Sequence, residues 1–265
     1  MARFFFIALA IFLSSHASRA TADDILTIGN SLTADALVLS LEGRVFHSFY
    51  CGQNLQFAHD NPDSNCSGLP WDSLITQREY DWVTVQPFTG TTLQQDIDVI
   101  STLMELQPNA NFVLHAGWTP EATFLDDFSA GNPDDTYRPS PEYLADLLAA
   151  LQEIDPDRTF TQTRTNELLF NISQDIENGI GPFDELSDLY RDPIHFNDTG
   201  RYLAHNALRT ALGQPLAERD DLDPIETAYL DSQIVALTAV PEPSSLFGLV
   251  ACVLLFSSRR SRQEI

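Results

Sequence analysis

Short apolar runs alternate with longer stretches of helical periodicity along most of this chain. Ile25–Ile28, Val45–Phe49, Trp82–Gln86, Phe112–Ala116 and Thr159–Thr163 are brief, rich in β-branched and aromatic residues, and read as strands. Between them, Leu93, Ile97, Ile100, Leu103 and Leu106 recur at helical spacing, as do Tyr143/Leu144, Leu147/Leu148, Leu151 and Ile154. Leu32 to Leu41 is a further helix-like run. A last core helix is predicted to start at Asn197 or Asp198, either of which can cap it, and to stop at Gly213. Strands separated by helices predict a parallel sheet with helices on both faces, a three-layer α/β/α domain. Residues 53–70 and 119–141 are polar, rich in Pro, Asn and Asp, and predicted to be long loops of the kind that wall or cover a site.

Both ends of the chain read as addresses. Arg3, the apolar run Phe4 to Leu13 and the small residues Ser18-Arg19-Ala20 make residues 1–20 a secretory signal peptide, cut after Ala20 or Ala22. The domain proper is then expected over 21–213. An acidic linker (Glu218 to Pro224) and a short helix (Ile225 to Leu237) fill 214–240. Residues 241–265 combine Pro241-Glu242-Pro243, an apolar run from Leu246 to Phe256 and the arginines 259, 260 and 262. The run is shorter than the roughly 20 residues of a membrane span. The layout resembles the PEP-CTERM sorting tail of Gram-negative exopolysaccharide producers. That resemblance implies transient anchoring in the inner membrane, removal of the tail by an exosortase, and delivery to the cell surface or extracellular matrix.

Charge narrows the partners. The 265 residues carry a net charge of −24 with 14 basic residues, all arginine. The two ends hold more of the base than of the acid, so the domain between them is more acidic still. Such a surface repels nucleic acid and anionic lipid. Of three cysteines, Cys252 falls in the tail. Cys51 and Cys66 remain, in a chain bound for an oxidising compartment, either as a disulfide or as two thiols. No cysteine or histidine spacing suggests zinc, and Asp126-Asp127 to Asp134-Asp135 lacks the ligand spacing of a calcium loop. No metal or cofactor is expected.

The candidate chemistry begins at Gly29-Asn30-Ser31, where an apolar strand passes into a helix. Ligands of parallel sheets bind at the carboxyl ends of strands, and a helix start favours negative charge. Ser31 is therefore a candidate nucleophile, or simply the N-cap that any such turn can carry. Far downstream, Asp192-Pro193-Ile194-His195 offers an imidazole to take a serine proton and a carboxylate to orient it.

Together these segments resemble the SGNH (GDSL-type) hydrolases. Ile28-Gly29-Asn30-Ser31-Leu32-Thr33 is similar to that family's first block. The stretch from Tyr190 to Leu203, containing Asp192 and His195, is similar to its fifth, and Cys51-Gly52-Gln53-Asn54-Leu55 to its second. The resemblance implies a flavodoxin-like sheet, a Ser31–His195–Asp192 triad, and the amides of Ser31 and Gly52 in an oxyanion hole. The third block departs. Where the family has Gly-x-Asn-Asp, strand Asp81-Trp82-Val83-Thr84-Val85 runs into Gln86-Pro87-Phe88. Gln86 carries the same amide donor on a longer stem and takes the asparagine's role in this reading. His115 and Trp118 end the fourth strand and either line the pocket or pack the core. His47 and His205 are assigned to packing or surface.

The expected function is a secreted, surface-sorted serine esterase acting on an ester substrate, with O-acyl groups on polysaccharide as the class suggested by its destination. Two alternatives stand beside it. One is a matrix or polysaccharide-binding protein that keeps the fold with little or no turnover. The other is an O-acyltransferase, in which a sugar hydroxyl replaces water.

Overall fold

The computed structural model describes residues 23–131 and 135–239. The signal peptide and the sorting tail expected at the two ends lie outside the described residues. Six strands form one sheet: β1 (Asp24–Gly29), β2 (Arg44–Phe49), β3 (Ser67–Gly68), β4 (Trp82–Val85), β5 (Asn111–Leu114) and β6 (Phe160–Gln162). They lie in the order β3-β2-β1-β4-β5-β6, all parallel except β3, which runs antiparallel to β2 at the edge. The helices are α1 (Ser31–Asp35), α2 (Leu55–Asp60), α3 (Trp71–Ile75), α4 (Leu93–Leu106), α5 (Glu121–Ser129), α6 (Pro141–Ile154), α7 (Thr165–Glu177), α8 (Asp198–Ala211) and α9 (Pro224–Ala239). The three-layer α/β/α architecture read from the sequence is the one observed.

Side-chain alternation along the strands divides the core in two. Leu26 and Ile28 of β1, Val83 and Val85 of β4, and Phe112 and Leu114 of β5 pack with α2, α3, α4 and α6. Ile25 and Val113 face the other way, against α7, α8 and α9. Successive strand residues point to opposite faces, and parallel strands covered on both sides read as unbroken apolar runs. Helix starts follow the local polar residues: Thr92 and Gln95 form a capping box on α4, Ser140 caps α6 ahead of Pro141, and Asn197 caps α8.

Two expectations change. The helix-like run Leu32 to Leu41 breaks after Asp35, and Leu37 sits in the left-handed region at φ 48°. The long segments 53–70 and 119–141 are not plain loops, since they contain α2 and α5. These helices bury few side chains (Leu55 and Ala58 in α2, Phe124 in α5), so they show little apolar periodicity. Finally, the helix expected in 214–240 is present and packs on the domain. Leu230 and Ile234 are buried, and Tyr202 Oη and Tyr229 Oη bond Asp231 and Asp175 at 2.9 and 2.8 Å. α9 thus completes the outer layer over α7 and α8.

Candidate active site

β1 is the central strand, paired on both sides, and its carboxyl end delivers the turn Gly29-Asn30-Ser31 into α1. Asn30, not Ser31, caps the helix: its Oδ1 accepts from Leu32 N at 2.9 Å. The serine is therefore the first residue of α1, and its hydroxyl is not consumed by the cap. The turn is tight. A Cβ on Gly29 would stand 2.0 Å from Thr33 Oγ1 and 3.0 Å from Gln86 Oε1, so only glycine fits beneath the serine.

Ser31 Oγ lies 2.9 Å from His195 Nε2, although the two residues are 164 positions apart. On the far side of the ring, Nδ1 is 3.0 Å from both carboxylate oxygens of Asp192. Asp192 Oδ1 also accepts from the backbone N–H of Ile194 at 3.1 Å and of His195 at 2.8 Å. These two amides, first His195 and then Ile194, hold the Asp192 carboxyl down at about 2. An ionised carboxylate accepts only, so the ring proton belongs on Nδ1 and Nε2 is left free to accept from the serine.

The segment bearing the two residues is gripped all round. Pro193 O accepts from Glu121 N at 2.9 Å, Ile194 O from Trp118 Nε1 at 2.7 Å and His195 O from Arg191 N at 2.9 Å. Trp118 also stacks on Phe196, ring centroids 4.0 Å apart. Trp118 thus packs the core behind the loop that carries Asp192 and His195. His115 is wholly buried, and burial pushes its imidazole down to about 4, which keeps it neutral. Neither is exposed to line a pocket.

Cys51 and Cys66 are bridged, with Cα atoms 5.8 Å apart. Next to the bridge, Gly52 adopts φ +69°, with no heavy atom within 4 Å of where a Cβ would be. Its loop abuts the serine turn: Tyr50 N donates to Gly29 O at 2.8 Å, and Asn30 Nδ2 to Gln53 O at 3.1 Å. Neither Gly52 N–H nor Ser31 N–H takes a partner among the described residues.

Gln86 lies directly under the serine turn. Its Oε1 accepts from Asn30 N at 3.2 Å, from Thr33 N at 3.1 Å and from the Thr33 hydroxyl. Those donors determine which way the amide points: oxygen toward α1, nitrogen away. Nε2 is buried and makes no bond among the described residues, and the whole residue is 1% exposed. Gln86 is thus built into the floor beneath the serine turn, with its amide oxygen committed to α1.

The fold is similar to that of a DUF4886 family protein from Bacteroides uniformis, at 12% identity and TM-score 0.57, over 84% of this chain and 98% of that one. Similarity extends to a member of the lipolytic protein G-D-S-L family from Veillonella parvula (12% identity, TM-score 0.43, 72% and 99% of the two chains). It extends also to the Clostridium thermocellum family 3 carbohydrate esterase (13%, 0.40, 71% and 94%). The likeness is one of fold. No family model matches the chain, and no curated protein matches it in sequence.

Of the residues singled out from the sequence, Ser31, Asp192 and His195 come together and Gly52 lies on the loop beside them. His47 pairs with Ser67 at 3.2 Å at the sheet edge, and His205 Nδ1 meets Ala36 O at 3.0 Å within the core. Among the described residues no group of three or more His, Cys, Asp or Glu gathers as a metal site. Sequence reasoning missed Asn30 as the cap and Asp35 as the buried carboxylate behind the loop that carries Asp192 and His195. Asp35 had a signal: four residues after Ser31 on a helix, it shares the serine's face.

Proposed function

We propose that this domain is a serine hydrolase of ester bonds, with Ser31 as nucleophile, His195 as general base and then acid, and Asp192 as the group that orients the imidazole. The observation that carries the reading is the continuous path from Ser31 Oγ to His195 Nε2 and from Nδ1 to Asp192, at 2.9 and 3.0 Å. His195 takes the hydroxyl proton as Oγ bonds the ester carbonyl carbon. The oxygen that becomes negative is held by the amides of Ser31 and Gly52. His195 returns the proton to the leaving alcohol as the C–O bond breaks, leaving an acyl-serine. Water then attacks with His195 as base, releasing the acid and restoring the serine.

The resemblance of residues 1–20 to a signal peptide and of residues 241–265 to a sorting tail supports a secreted, surface-delivered enzyme whose substrate is an O-acylated polysaccharide, with processing of the tail by an exosortase. One observation favours a slow or inactive variant of the same site: the Gln86 amide is held by its oxygen on Asn30 and Thr33, so this reading counts only the Ser31 and Gly52 amides for the oxyanion. Loss of one such donor costs about 100- to 1,000-fold in rate.

The test is hydrolysis of p-nitrophenyl acetate and labelling by a fluorophosphonate probe, in wild type and Ser31→Ala. The serine mechanism predicts that Ser31→Ala loses labelling and at least about 10⁴-fold in kcat, with its melting temperature preserved. Labelling that survives the substitution would refute it. Folded wild type that neither labels nor turns over any short acyl ester points to the non-catalytic reading.

A further inference from the structure

We infer that Asp35 is a positioning residue that sets the His195 ring over Ser31, by holding both ends of the triad loop on the helix that carries the nucleophile. The inference rests on the triad reading above. Asp35 lies one turn after Ser31 and is 1% exposed. Its Oδ2 accepts at 3.0 Å from the N–H of Phe196, the residue after His195. Its Oδ1 accepts at 3.0 Å from Nη1 of Arg191, the residue before Asp192, and at 3.0 Å from Arg201 Nε on α8. Arg191 also donates to Phe196 O, and its Nε reaches Asp192 Oδ2 at 3.8 Å.

A closed ring of contacts results: Ser31, one helical turn to Asp35, Arg191, Asp192, His195, and back to Ser31. The anion has two consequences. The ends of the loop cannot shift relative to α1 without stripping an N–H bond from a buried carboxylate, a costly state in a dry site. Arg191 is also shared between two carboxylates, so it does not collapse onto Asp192 and compete with the imidazole. The Asp35 carboxylate bonds neither the serine nor the ring and acts through the loop.

The full-length protein is compared as wild type, Asp35→Asn and Arg191→Gln. Asp35→Asn keeps an oxygen for the Phe196 N–H and removes the charge that holds the arginines. Arg191 is 40% exposed, and Arg191→Gln leaves the contacts of Asp35 with Phe196 and Arg201 in place. It therefore carries the test if Asp35→Asn does not fold. Misplacing reacting groups by about 1 Å costs on the order of 100-fold. Asp35→Asn is expected to lower kcat on p-nitrophenyl acetate by that order with KM unchanged, and Arg191→Gln to do so more mildly. In both, the downfield proton resonance of the Nδ1–H shared with Asp192 should move or broaden, which a merely structural contact would not cause in a folded variant. Wild-type kcat and an unmoved resonance in either folded variant overturn the inference. Absence of Ser31-dependent turnover in the wild type counts against the triad reading instead, and the resonance, which needs no turnover, still decides the role of Asp35.

Discussion

Replacing Gln86 by methionine removes the amide while roughly keeping the length of the side chain, and it separates two roles that the sequence alone cannot. Oε1 is the acceptor for the N–H groups of Asn30 and Thr33 and for the Thr33 hydroxyl, in a site with no solvent access. A buried donor left without a partner costs about 1–3 kcal/mol. The hydroxyl can rotate to another acceptor and the turn can relax, so the three losses do not add. A destabilisation of about 2–4 kcal/mol follows. For a domain of this size that is a fall of roughly 5–15 °C in melting temperature, readable by circular dichroism. Gln86→Glu is the companion, since a carboxylate keeps the acceptor at the start of α1, where negative charge is favoured. It should melt much closer to the wild type and retain measurable turnover. The reasoning is refuted if Gln86→Met melts like the wild type while kcat falls about 100- to 1,000-fold, because that pattern belongs to an oxyanion donor.

Two further outcomes are expected. Burial pushes the Asp96 carboxyl up to about 7, against the opposing hydrogen bonds from Tyr143 (2.6 Å) and Thr91 (3.2 Å). The folded state then binds the proton more tightly than the unfolded chain, so this contribution is full below about pH 4 and is lost as pH rises through 7. The stability of Asp96→Asn relative to wild type, from denaturant melts, should therefore rise between pH 4 and 7 by about 3 kcal/mol, and a flat difference would sink the assignment. The Cys51–Cys66 bridge closes a loop of sequence separation 15, so the double substitution Cys51→Ser/Cys66→Ser should lower stability by about 3 kcal/mol in the chain-entropy model. Gly52 follows Cys51 directly, so kcat should fall more than KM changes. Equal kinetics in the folded double variant would detach Gly52 from the oxyanion.

The fold was legible from the chain because its signals are local. Strands covered on both faces must be apolar at successive positions, and α4, α6 and α8 carry both a buried stripe and a polar cap. α2, α3 and α5 were hidden for the converse reason, being short and burying only one to three side chains each. Much of the site was legible too. Asp192 and His195 are three residues apart, and a turn through Pro193 and Ile194 is a local matter, so their pairing follows from spacing and chemistry.

What tertiary structure alone decided is which distant groups meet. Ser31 and His195 are brought to 2.9 Å by the sheet order and the placing of α8, which no local pattern encodes. Gln86 offers a donor and an acceptor on one amide, and its sequence position suits either use. Only the convergence of the Asn30 and Thr33 amides on its oxygen commits that atom as an acceptor. Asp35 is one acid among 38 Asp and Glu residues until burial leaves it facing two arginines and the backbone of the triad loop. Residue chemistry says what a side chain can do; which partners it is shut in with, away from water, decides what it does.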